Sequence, residues 1–179
     1  MQSETELAWF DSKLDVKYLC ANAPNLDAIF SEALRCNGGA MVSRIVMEPI
    51  TIGGKLLKPG NAIIIPSRQL HMNENVWGHN RQEFDALRFK RQKNLVRHPS
   101  FRPFGGGNTY CPGRVLAKEE VFGFIAILLH RFQLSLTEGK GPNGGKQVFP
   151  KLDDSSPALG ITGPIKSHDV LISAAEKTT

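Results

Sequence analysis

The sequence lacks an apolar run long enough to cross a membrane. Residues 122–129 form its longest apolar stretch, interrupted by Gly123, which is far shorter than the roughly 18 residues that a span requires. We therefore expect no membrane anchor in this chain. Cysteine is also scarce. Three cysteines cannot all pair with one another and no secretory signal precedes them, which disfavours a disulfide scaffold and favours a reducing compartment.

A strong charge of one sign is missing as well. The net charge of +5 is modest, and no spacing typical of RNA-binding or helix-turn-helix proteins accompanies it, so we expect no nucleic-acid partner. The five histidines lack the close pairs that are typical of zinc sites. The remaining composition, 41% hydrophobic and 22% charged, is that of an ordinary globular domain.

Clear periodicity begins only after residue 23. Residues 1–23 show no cap or regular apolar spacing and predict a loop with one short helix. Residues 25–35 repeat apolar side chains at helical spacing, with Pro24 before them and Gly38 beyond their end, and predict a helix. Residues 40–69 combine β-prone stretches with turn signals and predict short antiparallel strands.

The rest of the chain predicts short elements joined by loops. In chain order these are one helical turn within residues 73–79, an ordered loop over 80–100, a helix over 115–129, a strand over 132–136 and a loop over 138–146. Short strands at residues 158–162 and 170–173 predict a final hairpin.

Cys111 ends a glycine-rich stretch, Phe101-Arg-Pro-Phe-Gly-Gly-Gly-Asn-Thr-Tyr-Cys-Pro-Gly-Arg114, just before a predicted helix. A cysteine binds metal as a thiolate, and a helix N-terminus stabilises that anion through unpaired N–H groups and the helix dipole. Glycines at 105–107 let the backbone approach a flat ligand closely, and the glycine patterns that bind phosphate do not fit here. Cys20 and Cys36 have no such loop, so we expect them to be ordinary small apolar side chains.

Two separated motifs give the chain a resemblance to a known family. Glu32-Ala-Leu-Arg35 matches an E-x-x-R pair, and residues 104–113 match the cysteine loop F-x-x-G-x-x-x-C-x-G. The E-x-x-R pair alone is commonplace, whereas the combination is specific. From about Pro24 to its end, the chain resembles the C-terminal part of a cytochrome P-450, a haem-thiolate monooxygenase, and is most similar to fungal and microsomal members.

The resemblance implies an α+β fragment of a mainly α fold. Residues 1–23 would be the loop and short helix of a truncated chain, and residues 24–179 would be the haem-binding part. That part would contain the E-x-x-R helix, small antiparallel sheets, a meander loop, and the cysteine loop with its following helix.

The resemblance also implies a haem b site. Cys111 would be the axial iron ligand and would donate electron density that favours O–O cleavage. Phe104 would limit water access to the thiolate, and Arg44 would pair with a haem propionate. The implied cofactor contacts are Cys111, Phe104, Gly107, Gly113 and Arg44. The implied structural triad, which would fix the meander loop, consists of Glu32, Arg35 and Arg88.

Basic residues outnumber acidic ones after residue 80, and a solvated face is the default interpretation of such a run. The resemblance adds a partner, because an acidic NADPH-cytochrome reductase would dock on this face to deliver electrons. The cations implied are Lys90, Arg91, Lys93, Arg97 and Lys118. For the full-length family, the resemblance further implies a small apolar organic substrate, such as a sterol or secondary metabolite, and the cytoplasmic face of the endoplasmic reticulum.

Three departures from the family pattern matter. Thr109 stands where many members have an Arg or His directed at a propionate, and Ala86-Leu87 replaces the Pro-Glu before the triad arginine. The long helix with an A-G-x-x-T pattern, which relays protons to bound oxygen, is absent. Two functions therefore stay open: a truncated monooxygenase, and a non-catalytic remnant or weak haem-binding protein. For the isolated chain we expect no activity, and exposed apolar faces on the helices that start near Leu26 and Val115.

Overall fold

The computed structural model describes residues 2–136, 150–153, 160–165 and 170–177. The helices in these ranges are α1 (Gln2–Glu6), α2 (Val16–Asn22), α3 (Pro24–Asn37), α4 (Ser67–His71), α5 (Glu74–Trp77), α6 (Arg88–Arg91) and α7 (Arg114–Arg131). The strands are β1 (Trp9–Phe10), β2 (Lys13–Leu14), β3 (Met41–Ile45), β4 (Ile50–Ile52), β5 (Lys55–Leu57), β6 (Ala62–Pro66), β7 (Phe132–Leu136) and β8 (Ile172–Glu176). Two 3₁₀ helices span Lys93–Arg97 and Gly107–Thr109. The loop predicted at residues 138–146 lies outside the described residues.

Within these ranges the strands form four two-stranded antiparallel sheets. Strands β3 and β6 pair along their whole length, from Met41 opposite Pro66 to Ile45 opposite Ala62. Strands β4 and β5 form a hairpin whose turn, Gly53-Gly54, has φ angles of 55° and 77°. Glycine adopts such angles without steric cost. The small antiparallel sheets predicted over residues 40–69 are therefore confirmed.

Helices α1, α2, α3 and α7 meet around a first apolar core. Its buried side chains are Ala8, Leu19, Ala23, Leu26, Phe122 and Ala126. Phe30 of α3 packs edge to face on Phe122 of α7, with 5.6 Å between ring centroids. Residues 2–22 are thus more regular than the predicted loop with one short helix, because Ala8 after α1, Leu14 of β2 and Leu19 of α2 pack in the core that α7 shares.

A second core lies beneath the segment that runs from α5 towards the cysteine loop. Its buried side chains are Ala28, Trp77, Phe89, Leu95 and Phe101. The sequence predicts an ordered loop over residues 80–100, but the chain forms α6 and a 3₁₀ helix there. These helices have four and five residues, too few to display a helical period. The burial of Phe89 and Leu95 orders them.

The last strand does not pair as the sequence predicts. Strand β8 pairs with β7, while Ile161 forms an isolated bridge with Gly38. The predicted hairpin between residues 158–162 and 170–173 is therefore wrong, although residues 158 and 159 themselves lie outside the described ranges. Local turn signals cannot decide this pairing, because a strand pairs with whichever free sheet edge the tertiary fold presents.

Helix α3, which carries the E-x-x-R pair, receives its N-terminal cap from another helix. Pro24 occupies its first position, and Ala23 before it supplies no side-chain cap. Instead, the carboxylate of Glu4 on α1 accepts hydrogen bonds from the backbone N–H groups of Asn25 and Leu26, at 3.1 and 3.2 Å. The Asn25 side chain donates to the same carboxylate at 2.7 Å. Glu4 thus satisfies orphan helix donors and places a negative charge at the positive end of the helix dipole.

Helix α7 leaves apolar side chains in solvent. Val115, Leu116 and Phe124 are 57%, 59% and 66% exposed. The apolar face of α3 is covered instead, since Leu26 is only 1% exposed. The sequence predicts exposed apolar faces on both α3 and α7, but only the apolar face of α7 is exposed. None of the helices in the described part of the chain is both long enough and apolar enough to cross a membrane.

Replacing Glu4 with Ala should lower the free energy of unfolding by about 1–2 kcal/mol, because the N-terminus of α3 loses its cap. Urea denaturation measures the effect. The matched control is Glu120→Ala, which removes an exposed carboxylate from α7. Equal stability of the two variants would contradict the capping role.

Candidate functional site

The carboxylate of Glu32 is the centre of a buried charge cluster. Glu32 and Arg35 are both 0% exposed, and Arg88 is 6% exposed. Arg35 donates two parallel hydrogen bonds, from Nε to Oε2 at 2.8 Å and from Nη2 to Oε1 at 2.7 Å. Oε1 also accepts from Arg88 Nε at 3.1 Å and from the Asp85 N–H at 3.0 Å. The structure thus brings together the three residues predicted to form a triad.

The other donors of the two arginines bind carbonyls at the ends of α4 and α5 and in the irregular backbone between α5 and α6. The carbonyls that accept from Arg35 belong to His71, Arg81 and Glu83, at 3.0, 2.6 and 3.2 Å. The carbonyls that accept from Arg88 include those of Trp77 and Asn80, at 2.9 and 3.0 Å. Carbonyl groups at helix C-termini and outside regular secondary structure need such partners when water is excluded. The triad therefore fixes the path of residues 71–88.

Electrostatics keep Glu32 ionised in this environment. Burial acts to raise the pKa of Glu32, but the hydrogen bonds from Arg35 and from the Asp85 N–H outweigh it and hold that pKa below its usual value. One carboxylate faces two guanidinium groups and does not accept from all of their N–H groups. Backbone carbonyls accept hydrogen bonds from the remaining N–H groups. Removing one partner would leave a buried charge uncompensated, which is costly.

The cysteine loop closes on itself just before α7. The Cys111 N–H donates to the carbonyl of Phe104 at 3.0 Å. Gly105 and Gly107 have φ angles of 77° and 67°, in the left-handed region that favours glycine. A Cβ added at Gly107 would meet no atom within 4 Å, so open space lies beside the backbone there. The half-buried sulfur of Cys111 lies 3.8 Å from the Cβ position at Gly113.

Strand β3 presents Arg44 to this loop. Arg44 Nη2 donates to the carbonyl of Gly106 at 3.4 Å and to the hydroxyl of Thr109. Arg44 Nη1 donates to the carbonyl of Ser43 at 2.7 Å. A guanidinium has five N–H donors, so Arg44 keeps others for an anion. The position that departs from the family pattern, Thr109, thus contacts Arg44.

The two other cysteines have different surroundings. Cys36 is buried, burial raises its pKa to about 11, and its sulfur accepts from Arg35 Nη2 at 3.1 Å. Burial also raises the pKa of Cys20. Both thiols are therefore protonated at neutral pH, which makes them poor metal ligands.

Lys118, predicted to belong to a docking face, is engaged within the molecule. Its Nζ lies 2.5 Å from Asp27 Oδ1 and donates to the Cys20 carbonyl at 3.2 Å. It also lies 5.0 Å from the centroid of the Phe122 ring. Lys118 therefore ties α7 to α2 and α3.

Three of the other predicted docking cations, Lys90, Arg91 and Lys93, line an open cleft, whereas Arg97 is not one of its lining residues. The volume of the cleft is about 550 Å³, and its lining residues are Lys90, Arg91, Gln92, Lys93, Asn94, Leu95 and His98. Lys90 donates to Asn25, and Arg91 pairs with Asp85. Lys93 and Arg97 make no ion pair with any residue that the structure describes, so their charges are available to a partner.

Sequence reasoning missed two contacts at this site. The first is the pair formed by Arg44 and Thr109, and the second is a hydrogen bond from the Arg102 N–H to His71 Nε2 at 2.9 Å. These pairs are 65 and 31 residues apart in the sequence. No local pattern marks either one.

Comparison with known proteins identifies one family. A family profile described as Cytochrome P-450 matches residues 17–148. This match runs from α2 through the buried triad, the cysteine loop and α7 to β7. It covers well over half of the chain.

Individual relatives cover most of this chain but only part of their own length. The Cytochrome P-450 monooxygenase calL of Penicillium decumbens is 37% identical over 159 residues, which are 83% of this chain and 30% of that protein. A Cytochrome P-450 monooxygenase of Gibberella zeae is 31% identical over 71% of this chain and 26% of its own. Cholesterol 7-alpha-monooxygenase of Cricetulus griseus is 28% identical over 80% of this chain and 30% of its own. The chain thus spans less than a third of the length of these relatives.

Arg88 and Arg91, one turn apart on α6, allow a matched test of the buried triad. Arg88→Gln should lower the free energy of unfolding by about 3–5 kcal/mol, because the buried Glu32 loses a partner. Arg91→Gln breaks the exposed pair with Asp85 and should cost less than about 1 kcal/mol. Denaturant titration of both variants measures the difference, and similar losses would show that the triad does not depend on Arg88.

Proposed function

The chain belongs to the cytochrome P-450 family, and from this we propose that residues 24–136 form the proximal wall of the haem site of a monooxygenase. Family membership implies haem as the cofactor and monooxygenase chemistry. The finer proposal is that Cys111 is the axial ligand of the iron. The observation that carries it is the position of this half-buried sulfur on a glycine loop immediately before α7.

The residues present suit haem in three respects. Cys111 offers a sulfur ligand, and neither of the other two cysteines lies on a glycine loop. Gly107 has open space beside its backbone, which allows close approach of a flat group. Arg44 is exposed on β3 beside this loop and offers N–H groups to a carboxylate. Bound haem would supply the oxidation chemistry that inserts one atom of O₂ into an organic substrate.

Arg44 and Thr109 together would bind a haem propionate. Many family members have a cation at the position of Thr109, and Arg44 would supply a cation beside this part of the loop instead. The Thr109 hydroxyl and the Gly106 carbonyl hold the guanidinium next to the loop. An orientation fixed in advance lowers the entropy that a side chain loses on binding.

The remaining predicted residues would orient the ligand and protect it. Phe104 is half-buried and its carbonyl accepts from the Cys111 N–H, so its ring would limit water access near the sulfur. Gly113 leaves room beside the sulfur. Glu32, Arg35 and Arg88 would act through the backbone that they hold and not by contact with substrate.

A second candidate function applies to residues 1–179 taken alone, namely haem binding without catalysis. The exposed apolar side chains of α7 favour it, because Leu116 and Phe124 are more than half exposed. A cofactor covered on one face only would be open to water, and catalysis requires its exclusion.

The cleft of basic residues would receive an acidic NADPH-cytochrome reductase. Lys93 and Arg97 would contribute most to this encounter, since neither is paired within the described chain. Lys90 and Arg91 would contribute less because Asn25 and Asp85 engage them, and Lys118 least of all because Asp27 and the Cys20 carbonyl hold it.

The proposed substrate class comes from the names of the relatives, and the proposed location comes from the resemblance to microsomal members. The name of one relative specifies cholesterol, and two others are fungal monooxygenases. A small apolar molecule, either a sterol or a secondary metabolite, is therefore the proposed substrate of the complete protein. The endoplasmic reticulum is its proposed location, with the haem part on the cytoplasmic side.

Ligation by Cys111 can be tested on residues 1–179 supplied with haem b, reduced, and exposed to carbon monoxide. The Soret band should show the red shift of thiolate ligation, and Cys111→Ser should abolish it because an alcohol replaces the thiolate. Cys20→Ser is the matched control and should keep the shift. A shift that survives in Cys111→Ser would refute the ligand assignment, and substrate oxidation by the wild-type chain with reductase would refute the non-catalytic alternative.

Docking can be tested by comparing Lys93→Glu with Lys118→Glu. Lys93→Glu should weaken association with NADPH-cytochrome reductase several-fold and reduce its salt dependence, because an unpaired charge of the cleft is reversed. Lys118→Glu should mainly lower stability, since it faces Asp27. Surface plasmon resonance at two salt concentrations, with thermal denaturation of each variant, separates the effects. Equal affinity losses would contradict the proposed ranking.

A further inference from the structure

The side chain of His71 lies between the buried triad and the segment that enters the cysteine loop. The residue is 0% exposed. Its carbonyl accepts from Arg35 Nη1 at 3.0 Å, and its ring Nε2 accepts from the Arg102 N–H at 2.9 Å. One residue thus connects an arginine of the triad to backbone that lies nine positions before Cys111.

These contacts fix the protonation state of the ring. Burial, reinforced by the nearby Arg35 cation, lowers the pKa of His71 to about 4, so the imidazole is neutral at ordinary pH. Because Nε2 accepts a hydrogen bond, the proton of the neutral ring is on Nδ1. Nδ1 makes no hydrogen bond of ordinary geometry with the described residues and lies against the backbone of Gly38. The ring therefore presents its acceptor to Arg102, while its donor is at best weakly paired.

The ring is also confined sterically. It lies 5.7 Å from the ring of Phe101, centroid to centroid, beside the second core. In addition, a Cβ at Gly38 would come within 3.3 Å of the imidazole. A side chain that served only to fill this space would be apolar, because an unpaired polar group opposes burial. The hydrogen bond with the Arg102 N–H therefore explains why a histidine occupies this position.

We infer that His71 is a positioning residue for the cysteine loop, because its neutral imidazole fixes the backbone at Arg102 and so sets where the loop begins. From there the contacts continue along the chain. The Gly105 N–H donates to the Arg102 carbonyl at 3.2 Å, and the Cys111 N–H donates to the Phe104 carbonyl at 3.0 Å. Loop positioning stands on this geometry, while its consequence for haem rests on the proposed function.

Three substitutions separate the hydrogen bond from the volume of the ring. His71→Phe keeps a ring but removes the acceptor. His71→Gln can place an amide oxygen where Nε2 lies, and His71→Asn is too short to do so. Hydrogen exchange of backbone amides, measured by NMR on the full chain without haem, reports on the loop directly.

In His71→Phe, the amides of Arg102, Gly105 and Cys111 should exchange about tenfold faster, the size expected for one lost hydrogen bond. The Ala117 amide, bonded within α7, is the internal control and should keep its rate. His71→Gln should restore slow exchange in the loop. Unchanged loop exchange in His71→Phe, or an equal increase at Ala117, would overturn the inference.

His71→Asn provides the same comparison if His71→Phe does not fold, with faster loop exchange expected and unchanged exchange contradicting the inference. A second measurement, the carbon monoxide Soret spectrum of the haem-loaded variants, should show a smaller thiolate-type fraction for His71→Phe than for His71→Gln. A spectrum without any thiolate band in the wild type would refute the haem site. The exchange rates would then still decide whether His71 positions the loop.

Discussion

The buried carboxylate of Glu32 is the constraint on which the rest of this structure depends. A charge removed from water must be paired, and Arg35 and Arg88 pair it from α3 and α6. The guanidinium groups carry more donors than one carboxylate can accept, so they bind backbone carbonyls between residues 71 and 83. An irregular segment thereby acquires a defined path without forming a sheet or a long helix.

The cysteine loop is held from two sides. His71 connects Arg35 to the backbone at Arg102, and Arg44 on β3 holds the other side through Thr109 and the Gly106 carbonyl. Between these contacts, glycines with left-handed backbone angles turn the chain towards α7. The proposed ligand is thus placed by contacts that do not themselves touch the sulfur.

Prediction succeeded where the chemistry is local. The spacing of Glu32 and Arg35 places them one turn apart on a helix, and β-prone runs with Gly53-Gly54 predict a hairpin. It failed where order comes from distant partners. Helix α6 forms because Phe89 is buried. Lys118 pairs with Asp27 on α3, and β8 pairs with β7 across a long connection.

The sequence by itself determined which chemical groups are available. It contains one cysteine on a glycine loop before a helix, and a carboxylate and two arginines that can form a buried cluster. These residues also identify the family, because family motifs depend on residue type and spacing. Only the tertiary structure decided which groups meet. The bond between His71 and Arg102, the pair of Arg44 with Thr109, and the capping of α3 by Glu4 join residues far apart in the chain. Long-range contacts of this kind form when burial of the two cores brings distant segments together, and no local pattern encodes them.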